Sequence, residues 1–119
     1  MLIREHPPAP AGHIEHYQPG QIRIDGQTYR QAVLLNSDGV QTVDLPAPAG
    51  LQAADLARAA GRRPEVILIG TGDRQQFLHP RITAAAGGIG VECMCTAAAV
   101  RTCLLLQSEG RSVWAWLWP

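Results

Sequence analysis

The chain has 119 residues, one domain's worth, and 46% of them are apolar, enough for a core that needs no metal or disulfide staple. Ten basic and ten acidic side chains cancel, so nothing draws the chain to nucleic-acid backbones or anionic lipid irrespective of sequence, and no nucleic-acid partner is expected. No apolar stretch approaches the roughly 20 residues of a membrane span, and the first eight residues lack the apolar region and cleavage site of a signal peptide, so the expectation is a cytoplasmic protein without membrane insertion.

Residues 1–12 include Pro7-Pro8-Ala9-Pro10 and show no periodicity. They read as a flexible N-terminal arm, followed by a single α/β domain over 13–119, with order starting near 14–17. Three strand candidates come next. Gln21-Ile22-Arg23-Ile24 alternates, with both isoleucines on one face, and Asp25-Gly26 is the signal for a two-residue type I′ turn. A strand over 28–35, a turn at Ser37-Asp38-Gly39 and a strand over 40–45 complete a locally linked antiparallel meander.

The pattern then changes. Pro46 to Gly50 forms a rigid connector, and Leu51, Ala54, Leu56 and Ala59 predict a helix over 51–60 that Gly61 ends. The unbroken apolar run over 66–69 reads as a strand covered on both faces. Pro80 opens a short helix to 86, Gly87-Gly88 breaks it, and 90–94 is another strand. Thr96 reads as the N-cap of a helix to about residue 109, and 111–118 is a closing strand. Strands alternating with helices require right-handed crossovers. The predicted fold is α/β: a three-layer α/β sandwich with a mixed central sheet plus an N-terminal antiparallel β-meander.

Two strand-to-turn junctions in tandem carry most of the functional information. Gly70-Thr71-Gly72 lacks the third glycine of a dinucleotide fingerprint and the Gly-Lys-Ser/Thr of a phosphate loop. One reading is a tight turn; the other is a backbone-lined pocket for an anion or small polar group, with Thr71, Thr96 and Arg101 converging on it. Glu92, inside an apolar strand, is a surface carboxylate or a cleft carboxylate paired with Arg101 or Arg111. The ligand-binding candidates are therefore Gly70, Thr71, Gly72, Glu92, Thr96 and Arg101. No nucleophile stands in a recognisable elbow and no catalytic set is complete, so the reading leans away from an enzyme and names no catalytic residue. Cys93, Cys95 and Cys103 are read as reduced thiols; with the four histidines at no ligand spacing, no metal and no cofactor are expected. In the closing strand Trp114, Trp116 and Trp118 share one face. That face is core packing, or an open edge for a protein partner or a homodimer.

Ile69-Gly70-Thr71-Gly72, Pro80, Gly88-Ile89-Gly90-Val91-Glu92-Cys93-Met94, Thr96, Ala98-Ala99, Arg101-Thr102 and Glu109-Gly110-Arg111, with Gly26, Tyr29 and Leu34-Leu35 earlier, together resemble one known family. It comprises small bacterial and archaeal proteins of unknown function and the mitochondrial respiratory complex I assembly factor 3. The resemblance implies a three-layer α/β fold with an extra β-sheet and no established catalytic activity. It also implies a shared cleft lined by 70–72 and 92–102. Cys95 and Leu104 depart from the family pattern, which has an acid and an asparagine there. Two functions follow as expectations. One is a non-enzymatic protein-interaction or assembly-factor-like module; the alternative is a small-molecule or anion binder, or an enzyme, using the cleft at 70–72 and 92–101.

Overall fold

The computed structural model describes residues 12–119. The expected arm lies outside the described residues except for Gly12, whose N–H donates to Asp25 Oδ2 (2.8 Å) and whose carbonyl accepts from Gln107 Nε2 (3.2 Å).

Strands β1 (Ile14–Gln18), β2 (Gln21–Ile24) and β3 (Gln27–Tyr29) form an antiparallel sheet in that order. Asp25 and Gly26 between β2 and β3 have φ of 50° and 83°, the paired positive values that a type I′ turn needs. A second sheet holds β4 (Val33–Asn36), β5 (Gly39–Thr42), β6 (Val66–Gly70), β7 (Gly90–Met94) and β8 (Val113–Leu117), in the order β5-β4-β8-β6-β7. It is mixed: β4 is antiparallel to β5 and β8, while β6 is parallel to β7 and β8. The helices are α1 (Ala53–Gly61), α2 (Pro80–Thr83, continued by a 3-10 turn) and α3 (Thr96–Ser108).

The three layers follow from side-chain alternation. Leu34, Ile67, Ile69, Trp114 and Trp116 point to one face of the large sheet, where Leu56 and Ala59 of α1 and Ile82 of α2 cover them. Val33, Leu35, Leu68, Ala115 and Leu117 point to the other, covered by Ala99, Val100, Cys103 and Leu106 of α3 and by Ile14, Ile22 and Ile24 of the small sheet. The fold is the predicted α/β class.

The meander differs from expectation in its membership. The single strand expected over 28–35 is two strands in two sheets, separated by Arg30, Gln31 and Ala32. Val33, Leu34 and Leu35 are all buried, so this segment needs cover on both faces and joins the large sheet. The strand expected over 40–45 stops at Thr42 and pairs with β4 there, and the small sheet recruits β1 instead.

The open tryptophan edge is corrected as well. β8 is the central strand, with β4 on one side and β6 on the other. Trp114, Trp116 and Trp118 are 5%, 1% and 7% exposed, and Trp118 Nε1 donates to the Leu45 carbonyl (2.8 Å). A strand apolar on both faces is buried on both, and these indoles are core.

Candidate functional site

The junction at the ends of β6 and β7 is closed on itself. β6 leads to α2 on one face of the sheet and β7 leads to α3 on the other, the arrangement that opens a crevice at the carboxyl ends of neighbouring strands. Here two threonines fill it. Thr96, fully buried, donates its hydroxyl to the Trp118 carbonyl (2.6 Å) and accepts from the Gly72 N–H (2.7 Å). Thr71, 3% exposed, donates to the Arg74 carbonyl (2.6 Å) and accepts from the Gln76 N–H (3.1 Å). The backbone adds Thr71 N–H to Met94 and Thr96 N–H to Gly72, at 2.9 and 2.8 Å.

Thr96 is therefore not the helix cap that its sequence position suggests. Cys95 holds the cap position without a side-chain bond, and Thr96 turns inward from the first helical position. The two glycines serve different needs. A Cβ on Gly70 would meet Leu117 Cδ2 at 2.9 Å and Thr96 Oγ1 at 3.1 Å, whereas Gly72 has open space but a φ of +92°. Of the candidate set, Gly70 and Thr96 are packed into the junction, while Thr71, its hydroxyl already bonded, also borders with Gly72 a groove of about 510 Å³ beside Trp118 and Pro119.

Outside this junction lies a cleft of about 570 Å³ between β1 and α3. Ile14, Val100 and Leu104 line its wall, with Tyr17, Gly72, Asp73 and Cys95 at one end and His16 and Arg101 exposed. The Tyr17 hydroxyl reaches the Pro119 carbonyl at 3.3 Å. Burial raises the Tyr17 phenol, and Asp73 and then Cys95 push it further the same way, so it stays protonated. Gly72 and Arg101 are the two members of the candidate set that meet here. Cys95 and Leu104, the two departures from the family pattern, line the same cleft.

Glu92 is elsewhere. It is exposed on β7 and borders a separate groove, also about 570 Å³, with Phe77, Leu78, Pro80, Val91 and Cys93. Among the described residues no cation lies within 4 Å of it, and Arg111 pairs with Glu65 (2.6 Å) and Glu109 (3.6 Å) instead. β7 is an edge strand, and the Cys93 carbonyl points away from the sheet to accept from Gln75 Nε2 (2.8 Å). Burial raises the Cys93 thiol, a bond from the Leu78 backbone lowers it, and Glu92 raises it. Phe77 on the neighbouring loop is 78% exposed.

Sequence reasoning missed Ile14, His16 and Tyr17 because they come from a segment far from Gly72 and Arg101 in the chain. Phe77 gave only a single apolar letter in a polar loop. Among the described residues no three of His, Cys, Asp and Glu group as a metal site. No helix among them is long and apolar enough to cross a membrane.

A family described as "Protein of unknown function (DUF498/DUF598)" matches residues 14–118, and the chain belongs to it. A crystal structure of a Bordetella parapertussis protein is 37% identical, with 95% of this chain and 99% of that one covered and a TM-score of 0.83. A Xanthomonas campestris protein solved by NMR is 32% identical over 98% of this chain and 91% of that one, with a TM-score of 0.75. A Bordetella pertussis protein described as an Mth938-like domain is 30% identical over the same shares, 98% and 91%, with a TM-score of 0.76. No curated protein matches the chain.

Proposed function

We propose that this member of an unknown-function family is a non-enzymatic protein-interaction module of the assembly-factor kind, acting in the cytoplasm, whose partner docks as an extended segment along β7. The supporting observation is the β7 edge itself. Met94 turns its carbonyl inward to the Thr71 N–H, so Cys93 and, two residues earlier, Val91 present their backbone groups outward. An added strand can take those groups, displacing the exposed Gln75 side chain, while its apolar side chains meet Phe77 and the groove beside it. The family resemblance supports the same class, since its mitochondrial branch works by protein contact. The cytoplasmic placement is supported by three free cysteines, as expected of a reducing compartment.

Capture of binding proteins from the native cell extract tests this. Val91→Pro removes an outward N–H that the sheet does not use, and Phe77→Ser removes the apolar anchor. The expected result is one partner retained by the wild type and lost by both variants, with both still melting cooperatively. A wild type that captures nothing, or variants that capture as well as it does, overturns the reading. The alternative, a ligand or reaction at 70–72 and 92–101, has less support, since Thr96 is bonded inside the junction and Glu92 and Arg101 border different clefts.

A further inference from the structure

We infer that the cleft between β1 and α3 is a binding site for a small amphipathic anion, an apolar body bearing one carboxylate-type group. This is independent of partner docking at β7, which lies in a different groove. At about 570 Å³ the cleft is within the size range of small-molecule sites, and like them it joins an apolar wall to a few polar groups. Ile14 is 2% exposed and Val100 7%, so the wall is anchored in the core, and half-buried Leu104 and Tyr17 complete it.

Charge selects the head group. Six ionisable side chains line the cleft, Glu15, His16, Tyr17, Asp73, Cys95 and Arg101, and of these Glu15, Asp73 and Arg101 carry full charge. Glu15 is already engaged, by Arg23 (3.3 Å) and by the Gly26 N–H (2.6 Å). Asp73 stands at the Tyr17 and Cys95 end, where it raises the Tyr17 phenol. Arg101 is six residues beyond Cys95 on α3, about 9 Å along the helix axis at 1.5 Å per residue. Among the described residues no carboxylate lies within 4 Å of Arg101, unlike Arg23, Arg58, Arg62 and Arg111. Arg101 and the exposed His16 thus border a cleft whose wall is apolar. An exposed guanidinium alone holds an anion weakly. A ligand that covers Ile14, Val100 and Leu104 while presenting its anion to Arg101 uses both features.

Cys95 provides the readout, because it is half-buried in this cleft while Cys93 lines the other groove and Cys103 is buried. The full chain is alkylated with N-ethylmaleimide in the presence of decanoate, decanol, decyltrimethylammonium or acetate, each kept below micelle formation, and Cys95 and Cys93 are followed separately by peptide mass spectrometry. Decanoate is expected to slow Cys95 several-fold and leave Cys93 unchanged, with acetate inactive and decanol weaker. Arg101→Glu should transfer the protection from decanoate to decyltrimethylammonium, and Leu104→Asn should weaken all three ten-carbon probes. No protection by decanoate, equal protection by all three, or a preference of the wild type for the cation overturns the proposal. Loss of a protein partner at β7 does not bear on it.

Discussion

The β6–β7 junction and the β1–α3 cleft lie side by side, share Gly72, and differ in how their polar groups are used. At the junction each threonine hydroxyl donates one hydrogen bond and accepts another, and the Thr71, Gly72, Gln76 and Thr96 amides are paired. In the cleft an arginine and a histidine face outward above an apolar wall. The contrast shows that the glycine-threonine motif, which looks like a binding loop in the sequence, secures the sheet. The neighbouring β1–α3 cleft takes only Gly72 from that motif and Arg101 from the candidate set, and builds the rest of its lining from residues no motif announces.

Substitutions can break or sharpen this contrast. Thr96→Val should have the largest effect: it leaves the Gly72 N–H and the Trp118 carbonyl without their partner at a fully buried position. At about 1–3 kcal/mol for each orphaned group, urea unfolding should show a loss of about 2–6 kcal/mol. A loss well under 1 kcal/mol would mean the junction does not depend on that hydroxyl. Gly70→Ala should come next, at about 1–3 kcal/mol, because the new methyl meets Leu117 and Thr96 closer than normal contact allows.

Cys95 and Cys103 test the same boundary by pH. Burial pushes the Cys103 thiol from its ordinary 9.0 up to about 12. The unfolded chain therefore releases this proton first. The stability the buried thiol confers is intact below pH 9 and falls as pH rises towards 12, by up to about 1.4 kcal/mol per pH unit. Cys103→Ala should remove that slope, which a pH series of unfolding curves would show. At pH 8, maleimide should reach Cys95 well before Cys103. The smallest effect belongs to Arg101→Glu, expected within about 0.5 kcal/mol of the wild type because the side chain is exposed. A larger loss would make Arg101 part of the scaffold and remove the contrast.

The strands and helices of the second half were legible because local signals agree. Residues 66–69 read as a doubly covered strand and are one, and Pro80, Gly87 and Gly110 stop and start elements where expected. The first half was less legible. Nothing local distinguishes Thr28 from Leu34 as strand formers; only the demand for cover on both faces sends Leu34 to a different sheet. The same holds for the tryptophans, whose apolar alternation fits an edge or a centre equally well until β4 and β6 flank them. Thr96 looked like a cap because a threonine before alanines usually is one. Its inward turn depends on the Trp118 carbonyl, 22 residues away. Gly72 and Arg101 were identified from the sequence, but their neighbours Ile14 and Tyr17 belong to the other end of the chain.

The place of β8 governs when this protein can fold. Val113–Leu117 follows every other element in chain order, yet it joins β4 to β6. Without it the large sheet is two separate strand pairs, and the apolar faces of both stand open. Folding during synthesis must therefore wait until β8 has cleared the ribosome, and until then the nascent chain presents unpaired strand edges to whatever is near. Truncation before Val113 would remove the middle of the sheet and leave the margins, so products shortened there should be degraded or aggregate rather than persist as weakened versions of the whole.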